Sequence, residues 1–233
     1  MRFRLLLALD TATTTASVAL YDYEQDRLLA ELSWEARRRQ TQELLPAVME
    51  LLARQAKSVS DLTALAVTTG PGSFTGVRIA ISTAKGLALG LPSLPMVLGL
   101  PTLSVTAAPL LLPASSVNAH VVAYLQAGRG RYNWVHFERP DLLQRPQADE
   151  HAAGNADDFA TALAGLDGRV VWLVGEPTTD LSDAMGGLPH VMVVDAVSGL
   201  RRAGQLARLA ALHLAAGQHD DPATLAPIYL RQP

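Results

Sequence analysis

The stretch Gly70-Pro71-Gly72-Ser73-Phe74-Thr75-Gly76-Val77-Arg78 is the strongest indication of the fold class, because it joins a short apolar strand to a long apolar helix. Apolar residues predict the strand over Ala64–Thr69 and the helix from residue 74 to about residue 90. Glycines between the two elements let the backbone turn sharply. A strand, a tight turn and a helix in this order are typical of α/β proteins.

This glycine loop differs from the common nucleotide-binding loops. Gly76 precedes Val77 and Arg78, whereas a P-loop needs Lys and then Ser or Thr. The G-x-G-x-x-x-G spacing is one residue longer than the dinucleotide fingerprint, and Ser73 lacks the flanking glycines of a nucleophile elbow. Two interpretations stay open. The N–H groups at the helix start hold an anion, or Ser73 or Thr75 caps the helix.

The residues before the loop add three strands and a helix. Strands are predicted over Phe3–Leu9, Thr15–Tyr21 and Arg27–Trp34. A helix with Thr41 as its cap is predicted over residues 41–56 from an apolar stripe of Leu44, Leu45, Val48, Leu51 and Leu52. The first part of the chain therefore has the order strand, strand, strand, helix, strand, helix.

The second half repeats this order approximately. Strands are predicted over 120–126, 131–138, 169–174 and 191–195, with a weaker extended stretch near Leu142. Helices are predicted over 155–166, capped by Asn155, and over 200–216, ended by Gly217. The chain is therefore expected to be an α/β protein of two similar lobes, each a βββαβα unit. The N-terminal lobe is assigned to residues 1–105, joined by 200–233, and the C-terminal lobe to 106–199, with the Pro-rich stretch 92–113 as the crossing.

Composition excludes several classes of site. The 233 residues contain no cysteine, so disulfides, thiolate zinc sites and cysteine nucleophiles are excluded. The net charge of −3 and twelve aromatic residues argue against an autonomous RNA binder. None of the six histidines, all from His120 onward, has the helical spacing of a metal pair, so no metal is expected. Without an apolar run of about 20 residues or a signal peptide, a soluble, cytoplasmic protein that does not associate with membranes is expected.

Two further features are candidates for function. Asp10-Thr11-Ala12-Thr13 follows the first strand, where it either holds a hydrated Mg²⁺ near phosphates or forms an Asx-turn. The helix from residue 74 is apolar nearly all round, which together with the leucine stripe exceeds what one sheet face needs. A partner interface is therefore predicted, and charged substitution of Val48 or Ala80 is expected to abolish binding without unfolding the chain. Its predicted residues are Leu44, Leu45, Val48, Leu51, Leu52, Val77, Ala80, Ile81, Ala84 and Ala88.

Three stretches together resemble the bacterial TsaB (YeaZ) family: Leu7–Thr13, Gln40–Pro46 and the block from Gly70 through Ala88. The resemblance is weaker at Gly175-Glu176 and Pro227–Arg231. The resemblance implies a two-lobed, actin-like ATPase superfamily fold of duplicated RNase H-like units. It also implies a non-catalytic accessory subunit that binds a TsaD-type transferase, which modifies the adenosine beside the anticodon of tRNA with threonylcarbamoyl. A TsaE-type ATPase as a further partner, a homodimer when the chain is alone, and tRNA contact only through the complex follow from the same resemblance.

The resemblance also carries site expectations and departures. Asp10, Thr11 and Thr13 match the first phosphate loop, although Ala12 replaces a glycine, so ATP or ADP is expected at most at the subunit interface. The signature loop residues are Gly70, Gly72, Ser73, Thr75, Gly76 and Arg78. No catalytic or metal-binding residue is expected, because the paired-histidine motif of the catalytic paralogue is missing.

Besides Ala12, one position and one turn depart from the family pattern. Gln40 stands where a family histidine is common, and Gln126-Ala127-Gly128 replaces an Asp-Ala-Arg turn, with Arg129 and Arg131 nearby. The alternative function is a stand-alone ATPase or a glycoprotease-like metallopeptidase.

Overall fold

The computed structural model describes residues 4–128, 130–166 and 168–230. Contacts divide the chain into two compact units. Unit 1 comprises the chain up to Thr102 and the segment Arg202–Ile228, and unit 2 comprises Leu103–Arg201 with the residues from Tyr229 onward. The predicted N-terminal strand began at Phe3, which lies outside the described residues. In the described part of the chain, no helix has the length and apolar character needed to cross a membrane.

Unit 1 contains a five-stranded mixed sheet. Its strands are β1 (Leu5–Asp10), β2 (Thr15–Asp22), β3 (Arg27–Glu35), β4 (Leu62–Thr68) and β5 (Met96–Leu100). The order across the sheet is β3-β2-β1-β4-β5. The strands β1, β2 and β3 are antiparallel, whereas β1, β4 and β5 are parallel. Every residue of β1 is buried, as expected for a central strand covered on both faces.

Helices cover both faces of this sheet. Helices α1 (Gln40–Arg54) and α2 (Phe74–Gly90) pack on one face and form a core with Leu7, Val18 and Val67. The last helix, α6 (Ala203–Ala215), packs against β1 and β2. It ends in a Schellman motif around Gly217, whose φ is +76°, with the N–H of Gln218 donating to the carbonyl of His213 at 2.9 Å.

Unit 2 repeats the topology of unit 1. Its strands are β6 (His120–Gly128), β7 (Arg131–Phe137), β8 (Ala152–Asn155), β9 (Val171–Val174) and β10 (Val191–Val193), in the order β10-β9-β6-β7-β8. Helix α3 (Thr102–Ser116) packs on one face, and α4 (Ala156–Ala164) and α5 (Thr179–Met185) pack on the other. The expected α/β fold of duplicated βββαβα units is confirmed.

Several local predictions are also confirmed. The strands β1 to β4, the helix α2, and the cap of α4 by Asn155 lie where the sequence indicated. Ser73 is the N-cap of α2, and its Oγ accepts from the N–H of Gly76 at 3.1 Å. Thr41 was expected to cap α1, but the helix begins one residue earlier and Arg39 occupies the N-cap without a side-chain hydrogen bond.

Other expectations were wrong. No strand forms near Leu142; the third strand of unit 2 is β8, about ten residues later. The chain does pass from unit 1 to unit 2 within the predicted crossing 92–113, after Thr102, but this stretch contains β5 and most of α3. Pro109 and Pro113 lie inside α3, which persists because its apolar stripe packs against β6 and β7. Helix α5 was not predicted.

Candidate functional site

The signature loop lies directly against the loop that follows β1. The N–H of Ser73 donates to the carbonyl of Ala12 at 2.6 Å, and the Thr11 hydroxyl donates to the carbonyl of Gly76 at 2.7 Å. A β-carbon at position 72 would lie 2.4 Å from the carbonyl oxygen of Ala12, and one at position 76 would lie 2.0 Å from that of Thr11. Glycine is therefore required at both positions by close approach of the two backbones.

Asp10 ties the ends of two parallel strands together. Its Oδ1 accepts a hydrogen bond from the Thr68 hydroxyl at 2.8 Å and another from the N–H of Ala12 at 2.9 Å. The second bond is the Asx-turn that the sequence left open as one alternative. Asp10 is 1% exposed, and Thr11 is fully buried.

These contacts bear on the nucleotide candidates Asp10, Thr11 and Thr13. The N–H of Ala12, which would face a phosphate in a first phosphate loop, is already bonded to Asp10. The carbonyl of Thr13 accepts from the side-chain amide of Gln40 at 3.4 Å. Within unit 1 the Asp10 carboxylate and the N–H of Ala12 are thus engaged with each other, and nucleotide binding by Asp10, Thr11 and Thr13 stays a prediction. ATP or ADP at a subunit interface stays a prediction.

The exposed side of α1 and α2 forms an apolar groove of about 360 Å³. Leu45 is 47% exposed and Phe74 is 58% exposed, although both are large apolar side chains. The Arg78 guanidinium carbon lies 3.7 Å from the centroid of the Phe74 ring, which is a cation–π contact. The other lining residues are Thr41, Leu44, Thr75, Ile79, Ser82 and Thr83. We call this surface the α1–α2 groove.

The groove corrects the predicted partner interface. Of the ten residues predicted, only Leu45 is exposed. The other nine are buried in the core of unit 1, because these side chains of α1 and α2 face their own sheet. They are Leu44, Val48, Leu51, Leu52, Val77, Ala80, Ile81, Ala84 and Ala88. Leu44 and Leu45 are the two predicted residues that line the groove, and Phe74, Ile79 and Thr83, which were not predicted, line it as well. Phe74 stood in the quoted loop, but its exposure could not be read from helix periodicity because it is the first residue of the helix.

Unit 2 brings together two histidines that the sequence spacing did not connect. His120 and His136 lie on the adjacent strands β6 and β7, with 2.6 Å between His120 Nδ1 and His136 Nε2. The Arg169 guanidinium contacts His120 Nε2 at 2.7 Å. Burial lowers the pKa of both histidines, and the positive charge of Arg169 lowers it further. Over the described ranges, no three His, Asp or Glu side chains meet as metal ligands.

The altered turn of the second lobe is the β6–β7 hairpin. Gln126 pairs with Tyr132, and Gly128, at φ +81°, pairs with Arg131. Arg129 lies outside the described residues.

Comparison with known proteins assigns this chain to a family. A family model described as TsaD, tRNA N6-adenosine threonylcarbamoyltransferase, matches residues 34–173. The tRNA threonylcarbamoyladenosine biosynthesis protein TsaB of Escherichia coli K12 is 40% identical over 136 residues, which cover 58% of this chain and 56% of that protein. The TsaB of Buchnera aphidicola subsp. Baizongia pistaciae is 30% identical over 70% of this chain and 76% of its own. The chain belongs to the TsaB (YeaZ) family.

Solved structures agree with this assignment. The structure titled YeaZ from Pseudomonas aeruginosa superimposes with a TM-score of 0.72 at 28% identity, covering 97% of this chain and all of that one. A second structure, titled as an uncharacterized protein with similarity to peptidase YEAZ from the same organism, gives a TM-score of 0.75 at 27% identity, with 98% and 100% coverage. The resemblance to the TsaB (YeaZ) family is thereby confirmed over the fold. The alignment with the E. coli TsaB spans a little over half of that relative's length.

Proposed function

We propose that this chain is a non-catalytic accessory subunit in tRNA threonylcarbamoyladenosine biosynthesis. In this role it binds a TsaD-type transferase, which modifies the adenosine beside the anticodon. Membership of the TsaB family and the match to a TsaD family model support the pathway and the kind of partner. The chain contributes a surface to the complex, and the chemistry belongs to the partner.

One observation carries the proposal, namely the α1–α2 groove. Leu45 and Phe74 expose apolar area side by side, and Arg78 and Thr41 border it. Protein interfaces combine an apolar centre rich in aromatic residues and Arg with a polar rim. By contrast, the loop after β1 is engaged in contacts within unit 1, between Ala12 and Asp10 and between Thr11 and Gly76. The exposed apolar side chains of the α1–α2 groove are therefore suited to binding a protein.

The rest of the assembly is part of the same proposal. When the chain is alone, a second copy occupies the groove and forms a homodimer, which the TsaD-type partner displaces. A TsaE-type ATPase joins the heteromeric complex, ATP or ADP binds at a subunit interface, and tRNA binds only through the complex. Location in the cytoplasm follows from this role.

Reconstitution tests the function. Purified chain, TsaD-type paralogue, TsaE-type ATPase, tRNA, ATP and the threonylcarbamoyl precursor are combined, and modified adenosine is measured by mass spectrometry of nuclease digests. We expect product only when both the chain and the paralogue are present. Leu45→Asp is expected to lower the yield at least about tenfold, because a carboxylate would be buried in an apolar contact.

Leu112→Asp is the matched control, because Leu112 is exposed to a similar extent, 51%, on a helix of the other unit. The control variant is expected to support full modification. Modification by the paralogue and ATPase without the chain would contradict the proposal, as would modification by the chain and ATPase without the paralogue.

A further inference from the structure

The four-residue segment between β3 and α1 has three features that are unfavourable at the start of a helix. Arg37, Arg38 and Arg39 stand in succession at the amino end of α1, where the helix dipole disfavours positive charge. Arg37 has a φ of +43° and Arg38 a φ of +70°, a backbone region that costs conformational free energy for any residue with a β-carbon. The N-cap position holds Arg39 and has no side-chain cap. We call Arg37 and Arg38 the arginine turn.

The arginine turn is held from both ends by buried neighbours. The N–H of Ala36 donates to the carbonyl of Thr14 at 2.9 Å, and the N–H of Arg39 donates to the carbonyl of Ala36 at 2.7 Å. Ala36 is fully buried, and Gln40 is 7% exposed. The surrounding structure therefore imposes a conformation that the turn itself disfavours, as is common where a surface site has a function.

The guanidinium groups are presented to solvent. Arg37 pairs with Glu35 at 2.9 Å, but both side chains are more than half exposed, so the pair contributes little. Arg39 is held by Glu43 at 3.0 Å, and Glu43 also accepts from the Trp34 indole at 2.8 Å. Arg37 and Arg38 are therefore the two guanidinium groups of this segment that a ligand can engage at little cost.

The position of the turn indicates the ligand. Thr41, Leu44 and Leu45, which follow the turn within α1, line the groove. The arginine turn therefore lies at the amino end of the α1 surface that lines the groove, where it adds positive charge beside apolar side chains. Protein interfaces have this arrangement of an apolar centre and a polar rim. An RNA backbone would call for a longer basic tract, whereas residues 35–43 carry three arginines against two glutamates. Guanidinium groups pair with carboxylates in a planar, bidentate geometry.

We propose that the arginine turn is the electrostatic rim of the α1–α2 groove and that it receives acidic side chains of the protein that docks there. This inference rests on the proposed function and names the chemistry that the partner must present. Carboxylates placed opposite the turn would speed association and fix the register of docking more than they would slow dissociation.

Association kinetics with the purified TsaD-type paralogue test the inference. Arg37→Gly/Arg38→Gly removes both charges, and glycine adopts a positive φ without strain, so the melting temperature should not fall. The association rate constant at low salt should fall about five- to tenfold, and the difference should largely vanish at 0.5 M salt, where screening is strong. Arg37→Lys/Arg38→Lys, which keeps the charges, should retain most of the rate.

Arg54→Ala/Lys57→Ala is the matched control, because it removes two positive charges at the other end of α1. The control should associate at the wild-type rate. Equal rates for the glycine double variant and the wild type would overturn the rim and leave the docking function intact, whereas a wild-type chain that does not bind the paralogue would overturn both. Weakened binding of tRNA to the assembled complex, with an unchanged rate for the paralogue, would assign the turn to RNA and also overturn the inference.

Discussion

At the residue scale, the contact between Gly76 and the carbonyl of Thr11 leaves no room for a side chain. Gly76→Ala should lower the free energy of unfolding by about 2 kcal/mol, because the two backbones must separate to admit the methyl group. Gly86→Ala is the control on the same helix. A β-carbon there meets nothing within 4 Å, so alanine should raise stability by about 0.5–1 kcal/mol. Urea unfolding followed by circular dichroism measures both, and equal midpoints for the two variants would contradict the close packing.

His120 and His136 form a hydrogen-bonded chain with a defined direction. The Arg169 guanidinium can only donate, so His120 Nε2 accepts, and the proton of His120 lies on Nδ1 and is donated to His136 Nε2. A proton added to either ring breaks this chain. Both residues are therefore held in the neutral form.

This arrangement predicts how stability depends on pH. The pKa of each of the two histidines is lowered from 6.5 in the folded chain, by burial first. Arg169 lowers the pKa of His120 next, and the neighbouring His120 lowers that of His136 next. The unfolded chain therefore binds protons at higher pH than the folded one, and stability present above pH 6.5 should be lost as the pH falls below it. Urea midpoints between pH 8 and pH 5 measure the effect.

His120→Gln/His136→Gln should remove part of that pH dependence, and the remainder includes His151, whose pKa burial also lowers. His219→Gln, at an exposed position, should leave the profile as in the wild type. A double variant whose profile matches the wild type would contradict the role of the histidine pair.

At the scale of elements, α1 has one buried side and one exposed side, and the two respond differently to charge. Val48 is fully buried against the sheet, so Val48→Asp should lower the free energy of unfolding by more than about 3 kcal/mol. Leu45→Asp, three residues earlier on the exposed side, should change it by less than about 1 kcal/mol. Thermal melting by circular dichroism distinguishes them. If Val48→Asp melted like the wild type, Val48 would belong to the surface after all.

Element order could be predicted because periodicity and turn residues agree over most of the chain. The strands of unit 1 alternate with clear turn signals, and Ser73 and Asn155 are polar residues directly before apolar helices. Helix α3 could not be predicted from local rules, because two prolines lie within it and only packing on the sheet of unit 2 compensates for them. Strand β5 is short, and the prolines on either side of it, Pro95 and Pro101, are typical of a linker.

The candidate site was harder to predict than the fold. Periodicity shows that a helix has an apolar face, but it does not say whether that face meets the protein's own sheet or a partner. For that reason Val48 and Ala80 were assigned to the wrong surface. The pairing of His120 with His136 depends on strand register across a hairpin, which single-sequence spacing does not contain.

At the scale of the whole molecule, the same topology occurs twice with different consequences. In unit 1 the turn after the fourth strand is a glycine loop that closes against the first strand's loop, and the two helices beside it expose an apolar groove. In unit 2 the corresponding helices α4 and α5 are shorter, and they complete a core with Tyr124, Tyr132 and Phe159. The docking surface that we propose therefore belongs to unit 1.

Mass measurement in solution tests whether this surface binds a TsaD-type protein. Light scattering after gel filtration is run on the chain alone, on the paralogue alone and on their mixture, with Leu45→Asp and the control Leu112→Asp in parallel. We expect a homodimer that converts to a heteromeric complex on mixing, with both species lost in Leu45→Asp and kept in Leu112→Asp. Elution of the two wild-type proteins as separate species at micromolar concentration would contradict this expectation.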